Sequence, residues 1–197
     1  MPRPDDRNSP LIALLGPPLS GKLTLMYSLS LATGACSEFD HSNFSVEFIE
    51  ARGLPQKSVV CELELPTRNG RQLFKLQTFS GCVFYEEESI QTLFERSSVV
   101  WLVAMGMDFA LNKTDAGLEE WQGFIRGYFD RVLQVVERMK LEEMPWVFVM
   151  NLRTPKTERD SELCRHPLIT NMRASIVELD ALHNIHPLLD HTRSSWA

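Results

Sequence analysis

Residues 16–24 read Gly-Pro-Pro-Leu-Ser-Gly-Lys-Leu-Thr, with Gly16, Gly21 and Lys22 at the spacing of a G-x-x-x-x-G-K phosphate-binding loop. Glycines at these places let backbone amides converge on an anion, and the lysine supplies a cation for the β- and γ-phosphates. Pro17 and Pro18 carry no N–H, so the cradle falls to the amides of Leu19, Ser20, Gly21, Lys22 and Leu23. The residue after the lysine ordinarily bears the hydroxyl that holds Mg²⁺; here it is Leu23. Thr24 follows, but one helical step turns a side chain by about 100°, which predicts that Thr24 points elsewhere. The loop therefore reads as a phosphate cradle short of a metal ligand.

Such a loop needs a strand to deliver it and a helix to receive it. Leu11–Leu15 is a short apolar run that reads as a buried strand. Lys22–Leu31 carries Leu23, Met26 and Leu29 at helical spacing, and Thr33-Gly34 stops it. Residues 35–56 show no clear period and contain Gly53 and Pro55, so they read as mostly loop. Ser58–Leu65 suits a strand ended by Pro66, Asn69-Gly70 signals a hairpin turn, and Arg71–Thr78 returns as its partner. Ser98–Met105, Pro145–Met150 and Ala174–Leu179 are further strand candidates.

Asp115 is placed to cap a long amphipathic helix reaching about Lys140, with a core stripe of Leu118, Trp121, Ile125, Tyr128, Val132, Val135 and Met139. Residues 152–167 are polar and hold Pro155 and Pro167, which predicts a loop with one helical turn; His186–Arg193 is a last helix. This order predicts an α/β domain over 11–197, a mainly parallel six-stranded sheet with one antiparallel strand, flanked by helices. The proline-bearing polar stretch 1–10 reads as a flexible tail.

The whole chain narrows the function classes. A net charge of −6 and the lack of a basic run argue against nucleic acid as a partner. The longest apolar stretch, Val99–Met105, is too short for an integral membrane segment. Cys36, Cys61, Cys82 and Cys164 are scattered without a C-x-x-C pair, which fits a reducing, cytoplasmic setting. His183, His186 and His191 lie close in sequence but form too sparse a set for a metal centre.

The loop at 16–24 resembles that of the bacterial MglA-type small GTPases, Ras-like switches of cell polarity and gliding motility. A second segment carries the resemblance further. Leu76–Tyr85 reads LQTFSGCVFY, similar to that family's strand followed by Thr-x-x-Gly-Gln-Val-Phe-Tyr. The resemblance covers about residues 10–195 and implies a Ras-like P-loop fold. It also implies a GTP or GDP ligand with Mg²⁺, and a roadblock-type protein partner. It adds Thr78, Gly81, Asn151 and Ala181 to the nucleotide-contacting set.

Three departures then align. Leu23 replaces the Mg²⁺ hydroxyl. Cys82 stands where the family's glutamine orients the attacking water, and a thiol cannot imitate an amide. The base-reading N-K-x-D becomes Asn151-Leu152-Arg153-Thr154, so the carboxylate that accepts two hydrogen bonds from guanine is Thr154. The switch I threonine has no secure counterpart; Ser58 is the nearest candidate, with Lys57 and Arg52 as nearby cations. Glu86-Glu87-Glu88 reads as a solvated helix start. Phe79, Phe84 and Tyr85 read as a core or partner-facing aromatic cluster.

Two readings follow. In the first, the chain is a pseudo-GTPase acting through protein contacts. In the second, it is an active NTPase of relaxed base preference that needs a partner for hydrolysis. A P-loop kinase is disfavoured, because no arginine-rich lid accompanies the loop.

Overall fold

The structure, a computed structural model, describes residues 9–37, 42–51, 54–79, 87–140 and 143–196. Strand β1 (Leu11–Leu15) leads into helix α1 (Lys22–Thr33). Strands β2 (Phe44–Ala51), β3 (Leu54–Thr67) and β4 (Gly70–Phe79) follow, then α2 (Glu87–Arg96) and β5 (Val99–Met105). A 3-10 turn (Met107–Phe109), α3 (Asp115–Met139), β6 (Trp146–Asn151), α4 (Glu158–Leu163), α5 (Pro167–Asn171), β7 (Ser175–Leu179) and α6 (His186–Ser195) complete the order.

The sheet has seven strands in the order β2-β3-β4-β1-β5-β6-β7. Only β3 runs against its neighbours β2 and β4; the other pairings are parallel. β1, β5 and β6 sit inside with helices over both faces, which is why they read as continuous apolar runs. One apolar layer joins the sheet to α2, α3, α4 and α5; the other joins it to α1 and α6.

Several expectations are corrected. The sheet has seven strands rather than six, because β2 occupies part of the stretch read as loop. Phe44, Val46 and Phe48 do alternate with Ser45 and Glu47, a period-2 signal that the reading as loop overlooked; on this edge strand Val46 and Phe48 are exposed. Pro66 does not end β3, which pairs through Pro66–Arg71 to Thr67–Gly70. β2 reaches only to Cys61 of β3, so beyond it the outer side of β3 has no strand to bond, and a missing N–H there is tolerated.

Thr114, not Asp115, caps α3, its hydroxyl accepting from Gly117 N. α1 buries Leu25, Met26 and Leu29, leaving Leu23 47% exposed. Residues 152–167 hold α4 and the start of α5. Thr157 and Asp160 form a reciprocal capping box at the start of α4, and His166 with Pro167 opens α5.

Candidate functional site

The loop between β1 and α1 is pressed into the sheet. A Cβ on Gly16 would lie 2.1 Å from Val103 O, and Gly16 has φ +155, so only glycine fits. The Gly16 amide donates to the Tyr128 hydroxyl at 3.1 Å, so a residue of the α3 core stripe also fixes the loop. Ser20 N donates to Pro17 O at 3.2 Å, closing a tight turn and spending one cradle amide. Leu19 adopts φ +64, a left-handed conformation that costs a non-glycine residue roughly 1–2 kcal/mol, and its side chain is 65% exposed.

Lys22 is 7% exposed and folds back over the loop. Its ammonium donates to Gly16 O at 2.9 Å, Pro17 O at 2.9 Å and Ser20 Oγ at 3.1 Å. The positive charge therefore sits among the loop's own oxygens. Gly21, at φ +85, is the N-cap of α1; no side chain caps the helix and no acidic residue lies in its first turn. That end of α1 retains the dipole and amide chemistry suited to an anion.

In front of the loop is a cavity of about 330 Å³ lined by Leu19, Ser20, Gly21, Lys22, Leu23, Thr24, Phe79 and Met105. Thr24 borders the same space as Leu23. For Mg²⁺ the fit is poor at the position after the lysine, where Leu23 offers hydrocarbon; Ser20 and Thr24 carry the cavity's side-chain oxygens, and Phe79 and Met105 add apolar wall. For phosphate the fit is better, through Lys22 and the start of α1. Among the described residues no group of three or more His, Cys, Asp or Glu gathers as a metal site.

Asn151, at the end of β6, joins two loops. Its Oδ1 accepts from Ala181 N at 2.9 Å, and a Cβ on Gly21 would meet its Nδ2 at 2.8 Å. The structure therefore brings Gly21, Asn151 and Ala181 together. The Ala181 amide is already engaged by Asn151. Asp180 supports this turn by accepting from Leu182 N at 2.9 Å and pairing with His183 Nδ1 at 2.9 Å. Burial works to raise the Asp180 carboxyl, but His183 and the two amides hold it below its usual range.

The 151–154 segment keeps an ordered shape by other means. Leu152 N donates to Leu179 O at 2.7 Å, and the Leu152 side chain lies over Gly106, where a Cβ would meet it at 2.3 Å. Asp108 Oδ2 accepts from Arg153 N at 2.8 Å and Thr154 N at 3.0 Å. The Arg153 guanidinium stands 4.4 Å from the Phe109 ring centroid. Asp160 Oδ1 accepts from Met107 N at 2.7 Å and ties the 3-10 turn to α4. The sequence reading missed Asp108 and Asp160. The Thr157-x-x-Asp160 spacing before a helix was a signal for Asp160; nothing local marked Asp108.

Thr78 is fully buried at the end of β4, its hydroxyl donating to Leu14 O at 2.8 Å. It braces β4 to β1 beneath the loop. Ser58 corrects the switch I expectation. It is fully buried inside the sheet, donating to Glu47 O at 3.0 Å and accepting from Gln77 Nε2 at 2.9 Å, so its hydroxyl is spent there. Lys57 is exposed on β3. Phe79 is core and lines the loop cavity. Glu87 pairs with Arg138 at 2.9 Å at the start of α2. Gly81, Cys82, Phe84, Tyr85, Glu86 and Arg52 lie outside the described residues.

No family model matches the chain, and no curated protein matches it significantly. No helix among the described residues is long and apolar enough to cross a membrane.

Proposed function

We propose that the protein is a degenerate MglA-like, Ras-like P-loop domain. It acts as a pseudo-GTPase: an interaction or regulatory module rather than a turnover enzyme. The observation that carries this is the loop itself. Lys22 donates to Gly16 O, Pro17 O and Ser20 Oγ, and in the facing cavity Leu23 stands next to the lysine, with Phe79 and Met105 beside it and Ser20 and Thr24 as the hydroxyl-bearing residues. A site built for Mg²⁺-nucleotide turnover carries a Ser or Thr hydroxyl at the position of Leu23. The sheet order, with β1 between β4 and β5 and its loop opening onto α1, supports the Ras-like reading. So does the tether from Asn151 to Ala181. On the resemblance, the proposal extends to a cytoplasmic role near polarity, motility or surface machinery, with a roadblock-type regulator as partner.

A second reading, an NTPase of relaxed base preference, draws on the side-chain-uncapped start of α1 and on Thr24 at the cavity wall. The two separate on nucleotide carried through purification. Denaturing the purified protein and quantifying released nucleotide by chromatography should give far less than one equivalent. Stoichiometric GDP or GTP in the supernatant would reject the pseudo-GTPase reading in favour of the second.

A further inference from the structure

The two edges of the sheet are finished differently. An open edge presents a row of N–H and C=O groups that can template another strand, and natural sheets blunt it with short strands, charges, proline or bulges. β7, at one edge, has only five residues, and its Glu178 is paired with Lys156 at 2.6 Å. β2, at the other edge, has eight residues, reading Phe-Ser-Val-Glu-Phe-Ile-Glu-Ala. It contains no proline, lysine or glycine, and it pairs with β3 without a bulge from Phe44–Cys61 to Ala51–Leu54. Among the described residues no strand lies beyond it.

Its side chains do not guard it either. Phe44, Val46 and Phe48 share the face of α1, and Ser45, Glu47 and Ile49 share the face of α2. Val46 is 50% and Phe48 65% exposed. Glu47 is drawn toward the sheet interior, paired with Lys75 of β4 at 2.5 Å and 3.9 Å from Arg96 of α2. Lys57 stands opposite Phe48 on β3, one strand in from the edge.

The pattern of the strand selects its occupant. Phe44-Ser45-Val46-Glu47-Phe48 is symmetric in polarity about Val46, so it complements itself when reversed. An interface that is its own complement is the requirement of a two-fold dimer. We propose that β2 pairs antiparallel with β2 of a second copy about a two-fold axis at Val46, joining the two sheets edge to edge. This register sets Val46 against Val46 and each Phe44 against a Phe48, apolar on apolar, and places each Ser45 hydroxyl opposite a Glu47. An axis at Glu47 would set like charges face to face, which disfavours it. An axis at Ser45 would leave Phe48 opposite Ser42, outside the strand. One strand pair is a small contact beside the roughly 1,200 Å² of a standard interface, so the dimer is reversible and depends on concentration. The pairing is independent of what the phosphate loop binds.

Sedimentation equilibrium of the full chain, over roughly 5–200 µM to cover micromolar affinities, should show monomer and dimer in exchange. Val46→Lys and Phe48→Lys, each on an exposed side chain, should raise the dimer dissociation constant about tenfold or more with unchanged circular dichroism. Single-cysteine probes then read the register. Under mild oxidation Val46→Cys should form a disulfide-linked dimer beyond the background of the parent chain. Ser45→Cys and Glu47→Cys should not, since each faces the other across the axis. A chain that stays monomeric throughout would overturn the proposal, and its binding of a labelled extended valine–threonine peptide would then assign the edge to a partner's strand. A dimer that both folded lysine variants leave intact, or a dominant cross-link at residue 45 or 47, would overturn it equally. If a lysine variant fails to fold, the cysteine probes alone decide.

Discussion

The loops at 16–24 and 151–154 meet across Gly21 and Asn151, and they are held in different ways. The first keeps the glycines and lysine of an anion site and turns the lysine onto its own carbonyls. The second, Asn-Leu-Arg-Thr, is held by its neighbours through Asp108, Leu179 and Gly106. Loop geometry and ligand chemistry are thus separable. Backbone shape persists where close packing and amide acceptors demand it, while the groups facing outward are open to change.

The sharpest way to break the first loop is steric. Gly16→Val forces a side chain onto Val103 O and should destabilise the protein by about 3 kcal/mol or more, or prevent folding, measured by urea denaturation. The second loop should fail through its neighbour. Asp108→Ala removes the acceptor of two amides and should cost about 1–3 kcal/mol, whereas Thr154→Ala keeps the amide and should stay within about 0.5 kcal/mol. Equal effects at Asp108 and Thr154 would erase the distinction between the loops. The junction comes next. Asn151→Ala leaves the Ala181 amide without its acceptor and should cost about 1–2 kcal/mol by the same measurement.

The smallest effect is a pH slope away from both loops. Burial lowers the His166 pKa, opposed by Asp130, and its Nδ1 accepts from Leu168 N as the cap of α5. The native state then holds fewer protons than the unfolded chain below about pH 6.5. Stability should be level above that value and fall as pH drops through the folded pKa. His191, also lowered by burial, adds in the same sense. His166→Asn, which keeps a capping side chain, should flatten the decline; an unchanged slope would assign it elsewhere.

Much of the scaffold was legible because it rests on local patterns. The buried runs at Leu11–Leu15, Val99–Met105 and Trp146–Met150, the Asn69-Gly70 turn and the α3 stripe each repeat a short-range rule. β2 was missed although Phe44-Ser45-Val46-Glu47-Phe48 alternates, because the alternation is short and followed by Gly53 and Pro55, which read as loop. At the site, Gly16, Gly21 and Lys22 were readable from spacing. Asp108 and Tyr128 were not, because they reach the loops from β5–α3 and α3, and such contacts exist only after folding. Ser58 misled because a hydroxyl near a strand end looks available until its bonds within the sheet are seen.

The central claim is that the phosphate loop no longer works with metal and guanine. Equilibrium titration of the purified, nucleotide-free protein with fluorescent GTP and ATP analogues, each with Mg²⁺ and with EDTA, tests it directly. The account predicts weak binding or none, alike for both bases and indifferent to EDTA. Tight, guanine-selective binding that EDTA abolishes would contradict it.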